Sequence, residues 1–103
     1  MAKFRFSKKA AQDLKDVYQY SYREYGEKQA DTYIQELEKV FNLLAENPLL
    51  CRERTEFIPS VRIHHHNKHL IVYINEQDDI LIVRLLHEKM DTKKQLNQIG
   101  HSA

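Results

Sequence analysis

The spacing of apolar residues changes period twice along the 103-residue chain, and this pattern constrains the fold more than any other feature. Phe4 and Phe6 alternate with charged residues, a period of two that predicts a short strand with both rings on one face. Between Ser7 and Asn47 the apolar residues recur every three or four positions, as on the buried side of a helix. From Val61 onward, alternating and continuous apolar runs return. The sequence therefore predicts a strand, a helical segment and then a group of strands.

Local signals divide the helical segment into two helices. Ser7 is a favourable N-cap, and Gly26 supplies a stop after a helix of about 18 residues. A second apolar stripe follows Gly26 and must end near Asn47, because Pro48 disfavours helical geometry at the residue before it. Two long helices joined by one residue predict an antiparallel helical hairpin.

Three strands are predicted in the second half of the chain. Residues 61–66 alternate, and the apolar runs 70–74 and 80–86 flank a polar turn at 75–79. Residues 80–86 are apolar on both faces, which predicts a central position in the sheet. Residues 49–60 have mixed charges and no clear period, so they are expected to form a connecting loop.

Asp91 is expected to start a short polar helix that reaches about Ile99, and residues 92–103 are expected to be partly flexible. The order of elements predicts an α+β fold made of an N-terminal strand, an antiparallel two-helix hairpin, a three-stranded antiparallel meander and a short C-terminal helix. We expect the hairpin to pack on one face of an antiparallel sheet. The length fits a single domain spanning residues 1–103.

The charge of the chain is nearly balanced but unevenly distributed. Lys and Arg number 16 and Asp and Glu 15, a net charge of +1 that gives no general attraction to nucleic acid or to acidic membranes. However, residues 7–47 carry two more acidic than basic residues, whereas residues 52–69 carry two more basic than acidic residues and four of the six histidines. An acidic segment of a protein partner is therefore expected to dock against residues 52–69.

The single cysteine, Cys51, excludes an intramolecular disulfide and a Cys-rich metal site. Its favoured role is that of a small, partly buried thiol. The chain contains neither a signal-peptide pattern at Met1 nor an apolar run long enough to span a membrane, so a cytoplasmic protein without a membrane partner is expected.

A histidine group occupies the first predicted strand of the meander. Imidazole is a common metal ligand, but on a strand His64 and His66 share a face while His65 points away. No acidic residue or cysteine lies within the next few positions. The favoured interpretation of His64, His65, His66 and His69 is therefore a set of surface histidines without a metal, with a structural metal or a contact to nucleic acid or a partner as alternatives.

Six residues would supply cations for a phosphate and a base for a ribose 2′-hydroxyl if they converged on one face: Arg62, His64, His66, Arg84, His87 and Glu88. Strand parity places the first three on one face but puts Arg84 and His87 on opposite faces, unless a bulge intervenes. Polar residues on a solvated face are the favoured interpretation.

Tyrosines are the main aromatic residues of the helices. Six Tyr accompany no Trp, and Tyr18, Tyr22, Tyr25 and Tyr33 fall on helical stripes. Core packing with hydroxyl groups at the rim is the favoured role, and a groove for a partner is the alternative.

The order and spacing of several short segments resemble toxins of the RelE/ParE superfamily, on the ParE side, over nearly the whole chain from Phe4 to Asp91. These segments are Asp13-Leu14 with Tyr20, Gly26 with Gln29-Ala30 and Tyr33, Leu44–Pro48 (LAENP), His69–Tyr73 (HLIVY) and Arg84–Asp91 (RLLHEKMD). The resemblance implies the toxin of a bacterial type II toxin–antitoxin module, bound by a ParD-like antitoxin in a hetero-oligomer.

ParE-like toxins act on DNA gyrase, whereas RelE-like toxins cleave mRNA in the ribosome. RelE-like chains usually carry Arg before the Leu-Ile-Tyr strand and a basic tail ending in Tyr. This chain has His69 at the first position and a different tail, which favours a non-enzymatic inhibitor without a cofactor and without sequence-specific DNA binding of its own. The alternatives are a ribosome-dependent endonuclease that uses His64, His66 or His87 with Arg62 or Arg84, and a non-toxic relative that only binds an antitoxin.

Candidate binding residues follow from this interpretation. The charged end of the last strand is expected to project beyond the core and to bind the target through Arg84, His87, Lys89 and Met90. The antitoxin is expected to contact Tyr18, Tyr22, Arg62 and His69.

Overall fold

A computed structural model describes the backbone of residues 3–101 and the side chains of residues 3–96. The predicted α+β fold is confirmed, including the N-terminal strand, the two helices, the three-stranded antiparallel meander and the short C-terminal helix. The expectation that residues 92–103 are partly flexible falls in part outside the described residues. The elements are β1 (Lys3–Phe6), α1 (Lys8–Tyr25), α2 (Glu27–Glu46), β2 (Glu53–Arg54), β3 (Val61–His66), β4 (His69–Asn75), β5 (Asp79–His87) and α3 (Thr92–His101).

The limits of α1 and α2 agree with the capping residues in the sequence. The Ser7 hydroxyl accepts a hydrogen bond from the Ala10 N–H at 3.0 Å and donates one to the Val83 carbonyl at 2.8 Å. Gly26 has φ 91° and ψ 171°, which is strongly unfavourable for residues with a side chain, and it separates the two helices. The helical hairpin is thus determined by short-range signals.

The five strands form one sheet in the order β1-β5-β4-β3-β2. The central position expected for β5 is confirmed, since β1 and β4 pair with its two edges. The expectation of a wholly antiparallel sheet is wrong, because β1 pairs with β5 in parallel. Parallel pairing needs a long crossover connection, and here the rest of the domain supplies it. The short β2, within the predicted loop 49–60, is a further strand that the sequence pattern does not reveal.

Both faces of the sheet are covered. On one face, α2 places Leu37, Phe41 and Leu44 against Ile71 and Ile82. The ring centroids of Phe4 and Phe6 in β1 lie 5.5 Å and 5.4 Å from that of Phe41, which confirms that the two rings share a face of the sheet. We call this side of the sheet the hairpin face.

The opposite face carries a second core, which the sequence pattern does not predict. Phe57, from the segment between β2 and β3, packs there with Val61, Val72, Leu86 and Leu96. Leu96 lies in α3 and is only 2% exposed, so the first half of this helix packs against the sheet. We call this side the α3 face.

A bulge in β5 changes which side its residues face. Val72 pairs with Arg84 and Tyr73 with Ile82, so Val83 is an extra residue. As a result Ile82 and Leu85, three positions apart, both belong to the core of the hairpin face. The alternation of faces is therefore interrupted at Val83 and resumes after it with the opposite parity.

In the described part of the chain, no helix is long and apolar enough to cross a membrane.

Candidate functional site

A well-defined turn follows β5 and presents two of the predicted target-binding residues. The Met90 N–H donates to the His87 carbonyl at 2.9 Å, and the Lys89 N–H donates to His87 Nδ1 at 3.1 Å. The Glu88 N–H donates to the Lys68 carbonyl at 2.8 Å, which ties the turn to the loop between β3 and β4. Lys89 is exposed and Met90 is 47% exposed. The turn thus exposes the cationic Lys89 beside the apolar Met90, and His87 accepts two hydrogen bonds from the backbone of the turn.

Arg84 does not project from this end of the strand, and its expected exposure is wrong. The residue is only 8% exposed. Its guanidinium forms a two-point ion pair with Asp13 of α1, with Nε–Oδ2 at 2.7 Å and Nη2–Oδ1 at 3.2 Å. The bulge and the helices on both sides of β5 enclose the side chain. Arg84 therefore connects elements of the fold, and its charge is neutralised by Asp13.

Asp13 is a key residue that the sequence analysis did not select. Its carboxylate also accepts a hydrogen bond from the Leu85 N–H at 3.0 Å. The available signal was its position three residues after Ala10, which places an acidic residue on the apolar side of α1. A carboxylate on a buried stripe predicts a buried cation on the facing element.

A cluster of one tyrosine and three histidines lies beside α2 on the hairpin face. The Tyr33 hydroxyl lies 2.6 Å from His69 Nδ1. The ring centroids of His69 and His87 are 5.6 Å apart, and those of Tyr33 and His66 are 6.1 Å apart. Burial lowers the pKa of His69 to about 4, with smaller contributions from His87 and His66 that outweigh the opposing effect of Glu88. His69 is therefore a neutral, half-buried ring at pH 7, unlike the cationic contact that an acidic partner would favour.

Arg62 and Cys51 join the segment after α2 to β3. Arg62 Nη1 donates to the Cys51 carbonyl at 2.6 Å, and Cys51 Sγ lies 3.6 Å from His64 Nδ1. Burial, together with the adjacent His66 and His65, lowers the pKa of His64. Burial also raises the pKa of Tyr73 to about 12, with a further contribution from Cys51. Cys51 is half-buried. Arg62 thus has a structural bond, although part of its side chain is accessible.

The alternation expected for β3 is confirmed. His65 lies on the α3 face, where its Nε2 is 3.0 Å from Glu88 Oε2, whereas His64 and His66 lie on the hairpin face. Among the side chains of residues 3–96, no three His, Cys, Asp or Glu residues are arranged to hold a metal ion.

The residues considered for RNA cleavage do not form one site. His64, His66 and His87 face the hairpin, but Arg84 is paired with Asp13 and Arg62 is bonded to a backbone carbonyl. Both guanidinium groups are therefore bonded within the fold, although Arg62 and His64 both contact Cys51.

A tyrosine patch lies on the outer side of α1, where Tyr18, Gln19, Tyr22 and Arg23 line a shallow depression of about 230 Å³. The Tyr18 hydroxyl donates to Asp31 Oδ1 of α2 at 2.8 Å, which holds this ring in place. Tyr22, whose ring centroid is 6.2 Å from that of Tyr18, is 49% exposed. We call these four residues the tyrosine patch.

The favoured role of core packing is wrong for two of the helical tyrosines. Tyr22 and Tyr25 are 49% and 57% exposed, so their rings are largely accessible to a partner. Tyr33, in contrast, is half-buried with its hydroxyl at the rim, as core packing predicts. The patch joins Tyr18 and Tyr22, which the sequence analysis selected as binding residues, but Arg62 and His69 lie elsewhere, on the meander.

Comparisons with known proteins agree with this architecture. A family model described as the ParE toxin of the type II toxin–antitoxin system parDE matches residues 4–92. Toxin ParE1 of Mycobacterium tuberculosis is 28% identical over 96 residues, which cover 92% of this chain and 98% of that protein. Toxin ParE1 of Caulobacter vibrioides is 28% identical over 96 residues, which cover 93% and 99% of the two chains.

Two further comparisons extend this finding. Toxin ParE of Escherichia coli is 28% identical over 97 residues, which cover 93% of this chain and 94% of that protein. A chain from a solved structure described as a chromosomal ParDE TA system from P. aeruginosa superposes with a TM-score of 0.69 at 20% identity. That superposition covers 84% of this chain and 96% of the other chain, and it shows a shared fold.

Proposed function

Because the chain belongs to the ParE toxin family of type II toxin–antitoxin systems, we propose that it inhibits DNA gyrase by binding it, without catalysis, and that a ParD-like antitoxin neutralises it. The observation that carries the non-catalytic part is the Arg84–Asp13 ion pair. It pairs the Arg84 guanidinium, one of the candidate phosphate-binding cations, with Asp13, while the turn after β5 leaves Lys89 and Met90 exposed.

The proposed contact with gyrase is the turn from His87 to Asp91. A protein interface typically gains most of its affinity from a few anchors that combine apolar area with a directed charge. Met90 and Lys89 supply these two components on a turn whose backbone is hydrogen-bonded to His87. An ordered turn loses little conformational entropy on binding, which favours its use as an anchor.

The proposed contact with the antitoxin includes the tyrosine patch. Aromatic rings with a polar end are enriched at protein interfaces, and Tyr22 offers an exposed ring in a depression that Arg23 also lines. Arg62 and His69 remain proposed contacts on the meander, although the low pKa of His69 favours a hydrogen bond or an apolar contact over an ion pair.

The experiment that tests this function is a supercoiling assay with purified gyrase, relaxed plasmid and the purified toxin, run with and without the antitoxin. We expect loss of supercoiling and accumulation of cleaved DNA at toxin excess, with recovery when the antitoxin is added first. Normal supercoiling and no trapped cleavage complex at toxin excess would contradict gyrase as the target.

One observation supports a second candidate function, the ribosome-dependent cleavage of mRNA. His66, His69 and His87 lie together with Tyr33, and paired imidazoles can supply an acid and a base. Primer extension on cellular mRNA after induction of the toxin distinguishes the two functions. Discrete cuts in mRNA, with unchanged gyrase activity, would favour the endonuclease.

A further inference from the structure

The side chain of His87 takes part in the backbone structure of the turn that follows β5. The Lys89 N–H donates to His87 Nδ1 at 3.1 Å, so the imidazole closes a ring over two residues. Asparagine and aspartate side chains close turns in the same way, by accepting the N–H two residues further along the chain. The imidazole of His87 therefore acts as a turn-forming side chain, with a nitrogen in place of the usual oxygen.

This hydrogen bond fixes the protonation state of the His87 ring. A backbone N–H can only donate, so Nδ1 must carry a free lone pair, and the proton of the neutral imidazole must be on Nε2. In a protonated ring both nitrogens are donors, and Nδ1–H would face the Lys89 N–H. Two opposed donors form no hydrogen bond, so protonation of His87 breaks this contact.

The other hydrogen bonds of the turn do not depend on the imidazole. The Met90 N–H donates to the His87 carbonyl at 2.9 Å, and the Glu88 N–H donates to the Lys68 carbonyl at 2.8 Å. These two bonds keep the turn attached to β5 and to the loop between β3 and β4. The ring nitrogen thus controls the orientation of one peptide, that of Lys89, whose side chain is exposed.

The groups that face the His87 ring across the sheet are neutral at mildly acidic pH. His69 of β4 is its cross-strand partner, with the ring centroids 5.6 Å apart. Tyr33 of α2 and His66 of β3 lie next to His69. Burial lowers the pKa of His69 to about 4, so this ring stays uncharged between pH 8 and pH 5.5. The nearest imidazole therefore brings no change of charge against His87 in that range.

The charged groups of the turn and of α1 have partners of their own. Glu88 Oε2 lies 3.0 Å from His65 Nε2 on the α3 face, whereas His87 faces the hairpin. Asp13 of α1 is paired with Arg84. Within residues 3–96, no carboxylate forms a hydrogen bond or an ion pair with the His87 ring, and Lys68 and Lys89 are exposed. The Lys89 N–H is thus the hydrogen-bond partner that a proton on Nδ1 would displace.

We propose that His87 is a positioning residue of the target-binding turn. In its neutral form, Nδ1 holds Lys89 in the orientation that binds the target, and protonation of the ring releases Lys89 and weakens inhibition. The inference rests on the proposed function, because it assigns a pH-sensitive control to the same contact with gyrase.

Nitrogen-15 NMR of the free toxin tests the hydrogen bond without the target. At pH 8 we expect His87 Nδ1 to show the chemical shift of an unprotonated nitrogen and Nε2 that of a protonated one. As the ring titrates towards pH 5.5, the Lys89 amide should shift with the same midpoint, and its protection against hydrogen exchange should fall about fivefold or more. A proton on Nδ1 at pH 8, or a Lys89 amide that does not follow the titration, would overturn the proposal.

Two substitutions separate the acceptor from the other properties of the side chain. His87→Asn keeps an acceptor that does not titrate, because the amide Oδ1 is the same number of bonds from Cα as Nδ1. His87→Gln is the matched control, since its amide oxygen lies one carbon further out. In the supercoiling assay at pH 8, we expect His87→Asn to inhibit within about twofold of the wild type and His87→Gln to be about fivefold or more weaker.

The pH dependence of gyrase binding completes the test, with circular dichroism confirming that each variant is folded. Between pH 8 and pH 5.5, the Kd of the wild type for gyrase should rise about fivefold and that of His87→Asn less than about twofold. Equal inhibition by the two variants, or the same pH dependence in the wild type and His87→Asn, would contradict the positioning role. If the NMR results are as expected but the wild type neither binds nor inhibits gyrase, the proposed function fails, while the control of the turn by His87 stands.

Discussion

Arg84 and Asp13 form an ion pair that connects α1, β5 and α3. The guanidinium meets both carboxylate oxygens of Asp13, and it also donates to the Gln95 side chain of α3 at 3.3 Å. The same carboxylate accepts the backbone N–H of Leu85. Both side chains are nearly removed from water, at 10% and 14% exposure, so each charge depends on the other.

Removal of the Asp13 charge is expected to destabilise the fold strongly. Asp13→Asn leaves the buried Arg84 charge without compensation, which costs about 3–5 kcal/mol of unfolding free energy in comparable sites. Urea denaturation followed by circular dichroism measures the loss. The matched control is Arg5→Ala, because Arg5 also binds two carboxylates, those of Glu76 and Asp79, but on an exposed edge. A similar loss in both variants would show that burial of the Arg84–Asp13 pair has no special effect.

The low pKa of His69 predicts a stability that depends on pH. Because burial lowers the pKa from about 6.5 in the unfolded chain to about 4 in the fold, folding favours the neutral ring. Above pH 6.5 the ring is neutral in both states and the stability of the fold is unaffected by its titration. As the pH falls from 6.5 towards 4, the unfolded chain binds the proton first, and the free energy of unfolding decreases. We expect wild type to lose about 2 kcal/mol more unfolding free energy than His69→Gln between pH 7 and pH 4.5. Urea titrations at the two pH values measure this difference.

A second variant tests whether burial or the hydrogen bond to Tyr33 lowers the pKa of His69. Tyr33→Phe removes the hydroxyl next to His69 Nδ1 but keeps the ring that buries it. Since burial is the largest cause of the low pKa, Tyr33→Phe should retain most of the pH dependence. Loss of the dependence in this variant would assign it to the hydrogen bond instead.

The tyrosine patch is expected to contribute to antitoxin binding but not to stability. Tyr22→Ala removes an exposed ring, and we expect about tenfold weaker antitoxin binding with an unchanged unfolding midpoint. Tyr20→Ala is the matched control, because Tyr20 is 53% exposed on the same helix but does not line the patch. Equal effects of the two substitutions would contradict a specific role for the patch.

The turn after β5 is expected to determine inhibition of the target. In the supercoiling assay, Lys89→Ala with Met90→Ala should raise the toxin concentration needed for inhibition by about tenfold or more. Both side chains are exposed, so the fold should be retained. Lys28→Ala, on the exposed side of α2, is the control. Full inhibition by the double variant would place the target contact elsewhere.

A side chain at Gly26 is expected to destabilise the fold through the backbone conformation, although there is space for a Cβ atom. A Cβ atom at this position would meet no other atom within 4 Å, so any loss of stability comes from the backbone alone. At φ 91° and ψ 171°, alanine is strained by about 1–3 kcal/mol. Thermal and urea unfolding of Gly26→Ala measure this cost against Gln29→Ala, an exposed substitution nearby in α2. Wild-type stability of Gly26→Ala would show that the two helices can be joined through another conformation.

Most of the fold was accessible from local sequence signals. Ser7, Gly26 and Pro48 delimit the two helices, because a cap, a positive φ and a restricted residue before proline act within a few positions. The meander strands were also located to within about one residue at most of their ends. These features depend on short-range sterics and on the burial of one side of each element.

The candidate site was less predictable, as Arg84 and the tyrosines show. The charge of Arg84 near the end of the last strand predicts exposure, but no local signal shows that Asp13 of α1 and Gln95 of α3 contact its side chain. Core packing was expected for Tyr22, but a helical stripe does not show how far the neighbouring elements extend over it.

The sequence by itself determined the elements other than β2, their order and the exposure of Lys89 and Met90 after the last strand. Only the tertiary structure decided that β1 joins β5 in parallel, that α3 covers the second face and that Asp13 neutralises Arg84. The reason is that periodicity reports which side of an element is buried, whereas a pairing partner is set by contacts between residues that are distant in the chain. Arg84 and Asp13 are 71 positions apart, so their roles depend on the assembled sheet and helices.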